Sequence, residues 1–256
     1  MSMNPINKKE LQALIANYKD EGFDLNDVVT TRVTNMSDLF KGNKSFNDSI
    51  SMWDTSNVTT MNGMFSGAIA YNKGCGNSFK GNWCWCFSKS GVKSWDTRNV
   101  TDMGDMFRGA RSFNKPVGHL NTENVTNMSD MFHSATFFNQ SVEKLNTKNV
   151  TNMKNMFSYA CSFNQPVESM KTRNVTNMSG MFQGATSFNK PIQRMKTGNV
   201  TDMSEMFHEA VSFNHSIIGL NTDSVTDINS MFRGATMFNR HHCGDSLIVK
   251  HLHVYM

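Results

Sequence analysis

No stretch of the sequence approaches the roughly 20 consecutive apolar residues that a membrane-crossing helix needs, so no membrane span is expected. The opening residues, Met1 to Lys9, are polar, include Pro5 and are followed by no apolar segment, so they do not read as a secretion signal. A lipoprotein signal would need an early cysteine, and the first is Cys75. A cytoplasmic or virion-associated protein is therefore expected rather than a secreted one. The five cysteines are an odd number, which excludes a complete set of intramolecular disulfides. Charge of one sign is also lacking: 25 Lys and Arg stand against 21 Asp and Glu, too even a balance to point to nucleic acid. Leucine is scarce, at nine residues, and Met (21) and Phe (19) take its place. Met is unbranched and polarizable and Phe supplies area, so together they can fill an irregular core.

What is present is a repeat. The pair Val-Thr recurs at Val33, Val58, Val100, Val125, Val150, Val175, Val200 and Val225, always 25 residues apart except between Val58 and Val100. That step is 42, one period plus an insertion of 17. Counting from each Val, position +3 is Met or Ile, +6 is Met or Leu, and +7 is always Phe: Phe40, Phe65, Phe107, Phe132, Phe157, Phe182, Phe207 and Phe232. Position +10 is Ala in every unit but the first. An aromatic-Asn pair follows at +13 and +14, its Asn being Asn47, Asn72, Asn114, Asn139, Asn164, Asn189, Asn214 and Asn239. A Thr column lies three residues before each Val, from Thr30 to Thr222.

A 25-residue unit cannot bury its own Met, Phe and Ala, and stacking like units on one another does so. The expected fold is a repeat solenoid, leucine-rich-repeat-like, of eight coils. The spacing +3, +6, +7, +10 predicts one short helical turn per unit, with Ser129, Ser179 and Ser204 as caps and Gly67, Gly109, Gly184 and Gly234 at its end. The Thr-x-Asn-Val-Thr segment predicts a short strand. Residues 1–27 read as an N-terminal cap, with a helix over 4–20 started by Asn4-Pro5 and carrying Leu11, Leu14, Ile15 and Tyr18 on one face. Residues 28–240 form the repeat array and 241–256 a closing strand or tail. The Phe column should be structural core, and the Asn column should satisfy backbone groups at a tight corner.

Candidate chemistry lies where the repeat breaks. The insertion, about residues 73–94, brings together Cys75, Trp83, Cys84, Trp85, Cys86 and Phe87. Trp83, Trp85 and Phe87 are candidate binding anchors, because insertions in repeat arrays map to one face. Equally, they fold back to cover neighbouring coils. Cys75, Cys84 and Cys86 are weak metal candidates, since Cys-Trp-Cys has one intervening residue and no paired C-x2-C unit follows. His241, His242, Cys243, His251 and His253 lie in the tail, several coils away. No metal and no cofactor is therefore expected. The acidic residues after Val-Thr, Asp102, Asp202 and Asp227, alternate with Asn127, Asn152 and Asn177, as in a solvated turn rather than a catalytic pair. No nucleophile elbow, P-loop or dinucleotide fingerprint is present. Two Thr columns four residues apart raise an ice-binding face, but charged positions such as Arg98, Glu123, Lys148 and Arg173 flank them.

The run Trp53-Asp54-Thr55-Ser56-Asn57-Val58-Thr59-Thr60-Met61-Asn62-Gly63-Met64-Phe65-Ser66-Gly67-Ala68, echoed from Trp95, resembles the BspA-like leucine-rich-repeat surface-protein family. The variant it resembles is the uncharacterised repeat domain of mycoplasma lipoproteins, with similar arrays in bacteria, protists and large DNA viruses. The resemblance spans about residues 28–240. It implies a leucine-rich-repeat-like solenoid, roles in adhesion or protein–protein contact, and no active site to carry over. The functional expectation is a non-catalytic interaction or scaffold module for an unknown protein partner, without nucleic acid. The alternatives are a structural component of a virion or surface assembly and, more remotely, an ice-binding solenoid.

Overall fold

The computed structural model describes residues 4–74, 95–239 and 241. It opens with a helix, α1, over Lys8–Glu21. Its cap is Asn7, whose side chain accepts the Glu10 amide at 3.0 Å. The Glu10 carboxylate reaches back to the Ile6 amide and the Asn7 side chain, a reciprocal arrangement that satisfies the free donors of the first turn. The start therefore lies three residues beyond the expected Asn4-Pro5, because only Asn7 has a glutamate three residues on; Pro5 is buried instead. Gly22, at φ 73°, ends the helix in the left-handed region and donates to the Tyr18 carbonyl. Leu11, Leu14, Ile15 and Tyr18 are buried. Lys8 donates to Ser37, and the Tyr18 hydroxyl to Asp48, which fixes α1 against the first unit.

After a 3-10 turn at Leu25–Asp27, eight units stack in chain order. Single parallel bridges run Asn35–Thr60–Asp102–Asn127–Asn152–Asn177–Asp202–Asp227, one residue from each unit. The stack passes straight over the insertion. Met61 donates to Asp102 at 3.0 Å and Phe65 stacks on Phe107 at 5.6 Å, as neighbours do elsewhere.

Each unit differs locally from the expected strand and helical turn. One residue, at +2, bridges, and its side chain then accepts the amide two residues on, as Asn127 does from Ser129 at 3.1 Å. That closure turns the chain before a strand can extend. Positions +5 and +9 are left-handed in all eight units, for example Asp130 (φ 56°) and Ser134 (φ 56°). Amides at +3, +5, +7 and +9 donate to the next unit: Met128 to Asn152, Asp130 to Lys154, Phe132 to Met156 and Ser134 to Ser158. Amides between them close turns within the unit, as Met131 to Met128 and His133 to Asp130. A helix needs every amide for its own chain; here half are committed across the stack.

The core is continuous. The Phe at +7 and the aromatic at +13 stack within a unit (Phe157–Phe163, 4.0 Å) and onto the next (Phe157–Phe182, 5.8 Å; Phe163–Phe188, 6.0 Å), with rings within 12° of parallel between units three and eight. Two further buried columns complete it, one of Val117, Val142, Val167, Ile192 and Ile217, the other of Trp53, Trp95, Leu120, Leu145, Met170, Met195 and Leu220. Trp53 and Trp95 donate their indole N–H to the Leu25 and Ile50 carbonyls.

Candidate functional site

The fixed polar columns are consumed by the stack. Each Asn at +14 except the last accepts the amide of its counterpart one unit on, always at 3.0 Å: for example Asn47 from Asn72, Asn114 from Asn139, Asn139 from Asn164, Asn164 from Asn189 and Asn189 from Asn214. The Thr before each Val is buried, and its hydroxyl donates to a carbonyl of the next unit, as Thr122 to Asn146 and Thr197 to Asn221. Only the Thr after each Val faces outward, so the two Thr columns share no face. An Asn column before the Val was not apparent as a separate device. Asn124, Asn149, Asn174 and Asn199 each donate to a carbonyl 26 residues earlier at 2.7–2.8 Å.

Chemistry-bearing side chains that are not consumed lie at the variable positions, and they fall on two surfaces. On the first, positions +5, +8 and +9 project from the run of turns that brings +5 and +9 into the left-handed region. Arg108 lies 3.0 Å from Asp105 and 3.5 Å from Asp130 of the next unit. His133 Nδ1 is buried, 3.4 Å from Asp130 Oδ1 without hydrogen-bond geometry, and its ring meets Tyr159 edge-on at 6.0 Å. Burial, and then the Arg108 guanidinium, hold the His133 pKa below the ordinary histidine value. Further along, Gln183 donates to Glu205 at 2.6 Å, and His208 lies between Glu205 and Glu209 at 3.9 and 3.8 Å. Burial, and then Glu209 and Glu205, push the Tyr159 hydroxyl up. Apart from His133 Nδ1, which makes no hydrogen bond, these groups lie against charged or polar neighbours, the behaviour of a structured polar surface.

The second surface carries positions −2, −4, −6 and −7 before each Val, and in units five to seven it is basic. A depression of about 510 Å³ lies at its end, lined by Arg173, Lys196, Thr197, Gly198, Asn199 and Asn221 over buried Met195. The sequence points to the variable positions between the fixed columns as the binding face, but it does not divide them into two surfaces.

The Phe column proposed as core, including Phe65, Phe107, Phe132, Phe157, Phe182 and Phe207, is at 0 % exposure, and Phe232 at 4 %. The candidate anchors Trp83, Trp85 and Phe87 and the metal candidates Cys75, Cys84 and Cys86 lie outside the described residues, as does the tail from His242. Among the described residues, no group of three or more His, Cys, Asp or Glu is placed to hold a metal ion, and no helix is long and apolar enough to cross a membrane.

A family model described as "Mycoplasma protein of unknown function, DUF285" matches residues 9–83, 73–178 and 165–247. The first matched segment covers α1 and two of the 25-residue units, and the other two cover about three units each. No curated protein and no solved structure matches the chain.

Proposed function

We propose, for a chain that belongs to the repeat family described as Mycoplasma protein of unknown function, DUF285, a non-catalytic role as a protein–protein interaction module. In this reading the stack is a leucine-rich-repeat-like solenoid related to the BspA-like surface proteins, and its outward variable positions meet the partner. One observation carries it. The repeated polar columns are hydrogen-bonded within the stack, so the charged residues that distinguish one unit from another lie mainly at outward positions. Repeat arrays present such variable positions as extended binding surfaces. On the first surface Arg108 is held by Asp105 and Asp130, and Gln183 by Glu205, an arrangement that fits a recognition surface.

Site-specific photo-crosslinking tests the proposal. A photo-reactive residue is placed in turn at exposed Arg108, Glu209 and Lys171, and the chain is irradiated in a lysate of the source cells. A discrete adduct with one other protein, formed from one surface, is expected. Adducts of the chain with itself, or with a sedimenting particle, would replace the proposal with a structural role in an assembly. Turnover of a small molecule by the purified chain would overturn it.

A further inference from the structure

Cations gather on one stretch of the second surface, whose other units carry Asp96, Glu123 and Asp223 in the same columns. On the second, units five to seven carry Lys144, Lys148, Lys171, Arg173, Arg194 and Lys196, all exposed, against Glu143 and Glu168. Among the described residues, none of these six cations forms an ion pair. Arg108, on the first surface, has two carboxylates within reach. A cluster of like charges without counter-charges raises the energy of the free protein and is relieved by a partner of opposite sign.

The depression at the end of this cluster is made by two glycines. Gly198 stands where other units carry Arg98, Glu123, Lys148 and Arg173, and Gly219 where they carry His119, Lys144, Ser169 and Arg194. A Cβ on Gly219 would come within 2.6 Å of the Gln193 carbonyl, so the close approach of the two units requires glycine there. At Gly198 nothing of the kind applies: a Cβ would lie 3.8 Å from Asn221, an ordinary contact. Its missing side chain leaves space between Arg173 and Lys196.

We infer that this basic face, with the depression over Gly198, is the docking site for an acidic segment of a partner protein, one carboxylate entering between Arg173 and Lys196 and others following the lysines along units six and five. The inference rests on the protein-binding reading above and names the partner's chemistry. A protein segment fits better than a single strand of nucleic acid, whose bases stack on aromatic platforms beside the cations; duplex binding is one of the outcomes of the test. The side chains around the depression are Arg, Lys, Thr, Asn and Met, and no aromatic is among them.

The test uses the full chain and fluorescence anisotropy. The probes are a labelled octapeptide of alternating Glu and Gly, a Ser-Gly peptide of the same length, and single- and double-stranded oligonucleotides. The acidic peptide is expected to bind, more weakly as salt rises, and the Ser-Gly peptide not to. Gly198→Glu fills the depression with the residue unit four carries at that register, so folding is retained. It should weaken acidic-peptide binding about tenfold or more, as charge reversal in a charged interface does, and K171Q/R173Q/K196Q should abolish it. R111Q/K154Q removes two exposed cations elsewhere and should leave it unchanged. Oligonucleotide binding as tight as the peptide's, or equal binding by Gly198→Glu and the wild type, would overturn the inference. Absence of peptide binding together with a protein adduct from Arg108 or Glu209 would overturn it and leave the protein-binding reading standing; absence of both would sink both.

Discussion

Phe157→Ala is the perturbation that loads the stack most heavily. The Phe157 ring is at 0 % exposure and lies against Phe163 at 4.0 Å, Phe132 at 5.6 Å and Phe182 at 5.8 Å. Truncating a fully buried Phe costs about 3–5 kcal/mol through lost transfer energy and an unfilled cavity. The cavity here is bounded above and below by flat rings already in contact with their own neighbours, which limits collapse and places the cost toward the upper end. Phe232, in the last unit, makes a useful comparison. It is 4 % exposed and stacks on Phe207 at 5.4 Å and Phe238 at 4.1 Å, with one adjoining unit rather than two among the described residues. Each stacked pair contributes roughly 0.5–1.5 kcal/mol beyond area, so Phe232→Ala should cost about 1 kcal/mol less. Urea unfolding followed by circular dichroism measures both. Because stability in a repeat array is a sum over units and their interfaces, Phe157→Ala should also broaden the transition by uncoupling the units on either side. Equal midpoints for Phe157→Ala and wild type, or a larger loss for Phe232→Ala, would refute the reasoning.

Other positions give sharper chemical contrasts. Asn164→Ala leaves the Asn189 amide without its side-chain acceptor and should cost about 0.5–1.5 kcal/mol, the net worth of one hydrogen bond, whereas Asn164→Asp, which keeps an oxygen in place, should lose less; thermal melts of the pair decide. Ser134 holds φ at 56°, where Gly42, Gly67, Gly109, Gly184 and Gly234 occupy the same column, so Ser134→Gly should stabilise by roughly 0.5–1 kcal/mol on release of left-handed strain. His133 is kept neutral in the folded chain because its pKa is lowered, while the unfolded chain takes up its proton near the ordinary value of 6.5. The unfolded state thus binds more protons as pH falls below about 6.5, and stability declines from there down to the folded pKa. His133→Gln should flatten that decline in a series of melts from pH 7.5 to about 5, and an unchanged slope would count against it.

The period and the invariant Met, Phe and Asn columns were readable because a single residue type recurs at each, and a column that never varies reports a position pressed from both sides. Two other core columns were not singled out. Val117, Val142 and Ile192 alternate among aliphatic residues, as do Leu120, Met170 and Met195, and a column that needs only shape leaves no single-letter signature. The run from +3 to +10 was misread as a helical turn for a physical reason. Consecutive i to i+3 turns, linked through left-handed residues at +5 and +9, bring Met128, Met131, Phe132 and Ala135 to one side at the same intervals a helix would. Position +5 hides its backbone demand because Asp130, Asn155, Gly180 and Glu205 share only a conformation. At the candidate sites, the irregular insertion stands out in the sequence, whereas the basic surface is built from regular positions whose charges become one patch only when 25-residue neighbours are laid side by side.

The central claim is that interchangeable 25-residue units build the stack through their fixed columns, leaving the variable positions free for a partner. Removing one unit in register tests this directly. Excising residues 126–150 joins Val125 to Thr151 and preserves every column, while excising 126–149 joins Val125 to Val150 and shifts all later columns by one residue. Thermal unfolding followed by circular dichroism should give a cooperative transition close to wild type for the first and none, or one far lower, for the second. Equal behaviour of the two excisions would contradict the claim.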